Sequence, residues 1–217
     1  SRDSHADPRI RSRSVTDPVT PSAKRRANVI GLGLIGGSLA LALQRLGWHV
    51  SGDDHRENTL GTALDRGVID ESGLDPQAEI TFVAVPVLSI AAEVKRALSD
   101  TVGIVTDVGS VKSTVCRSIV DDRFVGGHPM AGSEFDGLDG AQASLFESAV
   151  WVLTPTEATN DDVFFRLNTI VSSLGPEVVA LSPEAHDQLV AVVSHVPHLT
   201  AATLMGLASS RSEEHAA

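Results

Sequence analysis

The sequence predicts an α/β fold: a mostly parallel sheet with helices on both faces, followed by the start of an all-helical segment. Three observations carry this. Apolar runs of β type alternate with helical patterns from Ala27 to Leu181, the order that builds βαβ units. Those runs are apolar throughout, as strands covered on both faces must be. Finally, Gly31-Leu32-Gly33-Leu34-Ile35-Gly36 stands where the first run ends and the first helical pattern begins. That is the place of the motif in a Rossmann-type, dinucleotide-binding sheet.

The strands are expected over Ala27–Gly31, Trp48–Gly52, Ile80–Val85, Gly103–Asp107 and Phe124–Gly127. Helices are expected between them, over Ile35–Leu46, Glu57–Arg66, Leu88–Leu98 and Val111–Val120. Two further runs, Ala149–Thr154 and Glu177–Leu181, flank a helical stretch over Asp161–Leu174 and are expected to extend the same sheet. Ser182-Pro183-Glu184 then opens a different segment, with a Ser cap, Pro at the first helical position and an acid in the first turn. Its helical pattern runs to about Ala208, and Pro197 inside it predicts a kink or a break. At roughly 100° per residue, Leu189, Val193, Val196 and Leu207 share one side, and Asp187, Ser194, His195 and His198 the other. His186 lies nearer the apolar side and reads as structural.

Composition narrows the function. Of 217 residues 42% are hydrophobic and 21% charged, ordinary for a globular chain that buries its own core. A single cysteine, Cys116, excludes a disulfide framework and a Cys-based metal cluster. No apolar run reaches the length of a membrane helix and no signal-peptide pattern is present, so a cytoplasmic location without a membrane partner is expected. Residues 1–27 carry Arg2, Arg9, Arg11, Arg13, Lys24, Arg25 and Arg26 against Asp3, Asp7 and Asp17, so the rest is more acidic than the overall charge of −11. Such a body repels a polyphosphate, and no nucleic-acid partner is expected. Residues 1–26, with Pro8, Pro18 and Pro21 and no apolar period, are expected to be a disordered basic leader. Residues 27–181 form the expected dinucleotide-binding domain, and 182–217 the beginning of a helical domain cut short at Ala217.

In the glycine motif, Gly31 permits a tight turn, Gly33 lets the backbone approach a pyrophosphate, and Gly36 allows close helix–strand contact. The helix start at Leu34 and Ile35 offers N–H groups and a positive dipole end to phosphates. The second strand ends in Gly52-Asp53-Asp54, where an acid hydrogen-bonds ribose hydroxyls and repels a 2′-phosphate. Asp54 is the expected residue, with Asp53 facing solvent; this favours NAD, and Arg56 keeps NADP as the lesser alternative. Val85 and Pro86, where the third strand ends, are counted among the cofactor contacts.

Two stretches carry candidate chemistry. In Asp107-Val108-Gly109-Ser110-Val111-Lys112-Ser113, Ser110 is a helix cap or a hydroxyl that reaches a substrate, and Lys112 reads as a solvated surface residue. In Gly126-Gly127-His128-Pro129-Met130-Ala131-Gly132-Ser133-Glu134, the glycines let backbone approach a ligand, and His128 falls at the carboxyl end of a strand. A histidine there suits proton transfer coupled to hydride transfer. His195 and His198 are spaced for a shared metal, but no carboxylate completes a site, and no metal is expected.

Four motifs in order resemble the prephenate/arogenate dehydrogenase family of tyrosine biosynthesis: Val29 to Ser38, Gly109-Ser110-Val111-Lys112, Gly126 to Gly132, and Ser194-His195-Val196-Pro197-His198. The resemblance implies NAD(P)-dependent oxidative decarboxylation of prephenate, in a homodimer built through a helical domain. By similarity, His128 takes or hydrogen-bonds the proton of the ring hydroxyl, and Ser110 orients both. Glu134, Ser194, His195 and His198 would belong to the substrate site. The family's helical domain also supplies an arginine for a substrate carboxylate. Arg211, the sole arginine after the His motif, follows it too soon to be carried over, so poor turnover is expected of these 217 residues.

Three alternatives stay open. Arogenate differs from prephenate only in its side chain, amino against keto. A dehydrogenase of the β-hydroxyacid type would place a catalytic lysine in the helical part, whereas no lysine follows Lys112 here. A non-catalytic NAD-binding regulator would be indifferent to His128.

Overall fold

The computed structural model describes residues 24–195, 197 and 199–205, without the side chains of Ser194 and His195. The basic leader through Ala23, Val196, His198 and Leu207 lie outside these residues, and so do the expectations placed on them.

The chain runs β1 (Arg26–Ile30), α1 (Leu34–Arg45), β2 (His49–Asp53), α2 (Glu57–Asp65), β3 (Glu71–Ser72), β4 (Ile80–Val83), α3 (Val87–Asp100), β5 (Ile104–Asp107), α4 (Ser113–Ser118) and β6 (Phe124–Met130). A 3-10 turn at Leu138–Gly140 leads to β7 (Val150–Thr154), α5 (Asp161–Ser173), β8 (Glu177–Ala180) and α6 (Pro183–Val190). One eight-stranded sheet results, in the order β3-β2-β1-β4-β5-β6-β7-β8. β1 to β6 are parallel; β6 and β7 pair antiparallel, and β8 follows β7 in parallel. Every expected strand forms. β3 is new, and at two residues it is too short to leave a periodic pattern.

The strand order reverses between β1 and β4, which opens a crevice at their carboxyl ends. Helices cover both faces. α1 and α5 bury Leu39, Leu43, Leu167 and Ile170 against one face, together with Phe82, Phe146 and Trp151. α3 and α4 bury Ile90, Val94 and Val115 against the other. α4 is shorter than the expected Val111–Val120, because residues 108–112 form a turn rather than a first helical turn. Among the described residues no helix is long and apolar enough to cross a membrane.

The terminal segment departs from regular α-helix ahead of Pro197. α6 ends at Val190, a π turn occupies Ala191–His195, and Pro197 and residues 199–205 are helical. Proline lacks an N–H and its ring collides with the carbonyl four residues back, so the hydrogen-bond ladder widens just ahead of it.

The glycine turn joins β1 to α1 under tight constraint. Gly31 has φ +90°, and its N–H donates to the Asp53 carbonyl at 2.7 Å. A Cβ at Gly36 would overlap the Gly31 carbonyl oxygen and press on Ala84. Gly36→Ala is therefore expected to destabilise the protein by about 1–3 kcal/mol through overpacking. Thermal denaturation should register a Tm lowered by roughly 2–12 °C, at about 2–4 °C per kcal/mol for a domain of this size.

Candidate active site and cofactor cleft

At the glycine turn, nothing lies within 4 Å of where a Gly33 Cβ would stand. The backbone is thus open to a large ligand at the point where α1 begins, with Gly33 as its N-cap and no side chain capping it. The N–H groups of the first turn, including Leu34 and Ile35, have no intrahelical partner at such an end. A cleft of about 390 Å³ adjoins the turn, lined by Gly31, Asp54, Val85, Pro86 and Arg96 among others.

Asp54 closes one side of this cleft. Its Oδ2 accepts the Leu32 N–H at 2.8 Å, and its Oδ1 accepts the Arg56 N–H at 2.9 Å and Arg56 Nε at 3.2 Å. Burial alone would raise this carboxyl, but Arg56 and the Leu32 amide hold it below the usual carboxylate value. The expectation that Asp53 merely faces solvent is corrected: its Oδ2 pairs with Arg96 Nη2 at 2.6 Å across the same cleft.

The other end of the sheet edge is built around a buried ion pair. Lys112 and Asp107 are both 0% exposed and bonded to each other, which corrects the reading of Lys112 as a surface residue. Lys112 Nζ also donates to the Gly127 carbonyl at 2.7 Å, and Asp107 accepts the Gly109 N–H at 2.9 Å and the Gly127 N–H at 3.3 Å. The glycines of β6 stand where close neighbours leave no room for a side chain. A Cβ at Gly127 would sit 2.7 Å from the Asp107 carbonyl oxygen, and one at Gly126 would crowd Thr154, Cys116 and the Lys112 stem.

Ser110 stands on the pinned turn, half-buried, and does not cap a helix. The cap of α4 comes from α6 instead: Asp187 Oδ1 accepts the Lys112 N–H at 2.8 Å, and Oδ2 the Ser113 N–H at 2.9 Å. Partial burial would raise the Asp187 carboxyl, but the Lys112 amide, Ser113 and His186 hold it down to about 2.

His128 lies within β6 rather than after it, paired in register with Val152. Its strand is three places from β1 in the sheet, about 14 Å at the usual strand spacing. An extended dinucleotide spans that distance. His128 Nδ1 meets His186 Nε2 at 2.8 Å, and His186 Nδ1 meets Asp187 Oδ1 at 2.8 Å. His186 is fully buried, as its place near the apolar side foretold, but it touches His128, which the helical pattern did not reveal. Glu134 is exposed on the loop after β6, and among the described residues no hydrogen bond or ion pair joins it to this cluster. Ser194 and His195 enter only through their backbone in the π turn, and His198 lies outside the described residues.

The geometry defines a dinucleotide-binding α/β protein with a histidine relay at the carboxyl edge of its sheet. Residues 39–180 match the family described as prephenate dehydrogenase, nucleotide-binding domain, and residues 182–217 match prephenate dehydrogenase, dimerization domain. The chain belongs to the prephenate dehydrogenase family. It is 37% identical over 191 residues to prephenate dehydrogenase of Bacillus subtilis (strain 168), covering 81% of this chain and 51% of that protein. The chain thus spans about half the length of the curated relatives it matches. Among solved structures, prephenate dehydrogenase from A. aeolicus in complex with hydroxyphenyl propionate and NAD+ superposes with TM-score 0.79 at 30% identity, over 86% of this chain and 70% of that one. Synechocystis arogenate dehydrogenase superposes with TM-score 0.76 at 36% identity, over 84% and 68%.

Asp187 links the site to pH. Its folded carboxyl titrates at about 2 against an ordinary 3.8, so the stability it confers is present above pH 4 and lost as pH falls toward 2. Denaturant titrations between pH 5 and pH 2 should show that loss, and Asp187→Asn, which keeps the shape without the charge, should flatten it.

Proposed function

We propose that this chain carries the cofactor site and the proton-handling half of an NAD-dependent prephenate dehydrogenase. The observation that carries the reading is the placing of His128, tied through Nδ1, on the same sheet edge as the open glycine turn. Gly31, Gly33 and Gly36, with the N–H groups of Leu34 and Ile35, would hold the pyrophosphate. Asp54 would hold the adenosine ribose, with Val85 and Pro86 along the adenosine side of the cleft. Bound NAD supplies the hydride acceptor, carbon 4 of its nicotinamide.

On the substrate, the carbon bearing the ring hydroxyl gives up a hydride, and its O–H proton is lent to His128. The ring carboxylate leaves as carbon dioxide, and the electrons of that carbon–carbon bond complete the aromatic ring. The proton returns from His128 to the new phenol oxygen, so 4-hydroxyphenylpyruvate, carbon dioxide and NADH balance prephenate and NAD. Ser110, on the turn pinned by Lys112, would orient His128 and the hydroxyl, a role that the family resemblance implies. Glu134, Ser194, His195 and His198 are assigned to the substrate side by the family resemblance.

Arogenate is the second reading, favoured by the 36% identity to a Synechocystis arogenate dehydrogenase. The same chemistry serves both substrates, because they differ away from the reacting ring carbon. A homodimer is proposed through the helical segment, where Leu189, Val193, Leu199 and Met205 are exposed. A second copy would cover that apolar face.

His128→Asn is expected to keep cofactor affinity and lose roughly 10²–10⁴-fold in turnover, the usual worth of a positioned general base. Steady-state assays with prephenate and with arogenate, beside a cofactor titration, check both the role and the substrate; near-normal turnover removes His128 from the reaction. Asp54→Ser is expected to narrow the preference for NAD over NADP, because the acid both bonds the ribose and repels a 2′-phosphate. Dissociation constants for the two cofactors measure it, and an unchanged ratio reassigns the residue.

A further inference from the structure

We propose that His186 and Asp187 are positioning residues for His128: they hold its ring in the tautomer with hydrogen on Nδ1 and the lone pair on Nε2. This rests on the reading of His128 as the group that receives the hydroxyl proton.

The argument begins at the far end of the relay. An ionised carboxylate only accepts hydrogen bonds. Asp187 is fixed as an acceptor by two backbone amides, Lys112 at 2.8 Å and Ser113 at 2.9 Å, whatever His186 does. His186 Nδ1, 2.8 Å from Asp187 Oδ1, must therefore carry hydrogen. In a neutral imidazole the other nitrogen is then an acceptor. So His186 Nε2 accepts, and His128 Nδ1, 2.8 Å away, donates. The lone pair of His128 is left on Nε2, the nitrogen that can take a proton.

The arrangement also responds correctly once that proton arrives. The His128 imidazolium keeps its Nδ1–H directed at His186, whose own Nδ1–H is directed at an anion. The positive charge is stabilised along the relay, and no second proton has to move. His186 is 0% exposed, so water does not compete for either ring nitrogen. The logic is that of a serine protease triad, in which the buried acid sets the tautomer of the catalytic histidine. Here a second histidine is interposed, and the acid is on the following residue of the same helix. A core histidine of purely structural value would satisfy its nitrogens just as well. What distinguishes His186 is that its partner is the proposed base.

The test uses the full-length protein with 15N-labelled histidine, the His128 ring signals being assigned by their loss in His128→Asn. Ring nitrogen shifts of the wild type should report the Nδ1–H tautomer at His128. His186→Leu should convert His128 toward Nε2–H and lower kcat at least about tenfold, with NAD affinity unchanged. His186→Gln, whose side-chain carbonyl can accept from Nδ1–H, should restore most of the turnover and the wild-type tautomer. An Nε2–H tautomer at His128 in the wild type overturns the proposal, and it can be read even if His186→Leu does not fold. Unchanged kcat in His186→Leu overturns it as well. If His128→Asn is inactive while His186→Leu is not, the relay alone falls; if His128→Asn turns over normally, the reading beneath it falls too.

Discussion

One buried ion pair fixes the geometry on which the site depends. Asp107 ends β5 and Lys112 closes the turn that follows, and neither side chain touches solvent. Burying two charges costs several kcal/mol per ion, and their attraction recovers this only where the remaining polar atoms are also satisfied. Here they are: the carboxylate takes amides from Gly109 and Gly127, and the ammonium takes the Gly127 carbonyl. The pair therefore contributes position more than stability. It locks the turn bearing Ser110 to the backbone of the residue just before His128, so that β5, the turn and β6 move as one body. The bare backbone at Gly126 and Gly127 has a separate cause, because side chains there would collide with Thr154 and Cys116 and with the Asp107 carbonyl oxygen.

The helical segment is joined to this body at its first turns. α4 has six residues and no side chain of its own over its N-terminus. Asp187 reaches across from α6 to fill that place, and its neighbour His186 reaches β6. One helical turn of α6 thus completes a helix end and orients a strand side chain together. Any shift of α6 along α4 would break both connections. The π turn at Ala191–His195 lies just beyond, so the constraint of Pro197 is absorbed after the residues that make these contacts.

What was legible in the sequence is what local pattern records. The glycine turn, the acid after β2 and the histidine after Gly126-Gly127 are each marked by their immediate neighbours, and the alternation of strands and helices gave the sheet. The burial of Lys112 is not legible locally, because it depends on partners that periodicity does not see: Asp107 five positions back and the Gly127 carbonyl fifteen ahead. The wheel of a single helix separates His186 from Asp187. Their partners lie on other elements, His128 being 58 positions before His186. The cap of α4 is likewise remote, supplied by Asp187 74 positions beyond Ser113, whereas local spacing points to Ser110. The reversal at β7 had no signal either, since the length of the connection after β6 suits either direction.

The two ends of the sheet edge use the same device, a carboxylate anchored by backbone amides whose remaining capacity goes to one side-chain partner. At the relay, amides of Lys112 and Ser113 anchor Asp187, and the remaining capacity of Oδ1 is spent on His186. At the cofactor end, the Leu32 and Arg56 amides anchor Asp54, and the remaining capacity is spent on the Arg56 guanidinium. That guanidinium is half exposed, whereas the Asp54 side chain is 2% exposed. In the proposed cofactor complex, a ribose would displace the exposed arginine without disturbing the amides that hold the acid. The displaced arginine would then stand near the ribose hydroxyls, where it would meet a 2′-phosphate if one were present. On that proposal the selectivity of this end is a contest between an anion and an exposed cation, and the anion has the advantage because its orientation is already set by the backbone before any ligand arrives.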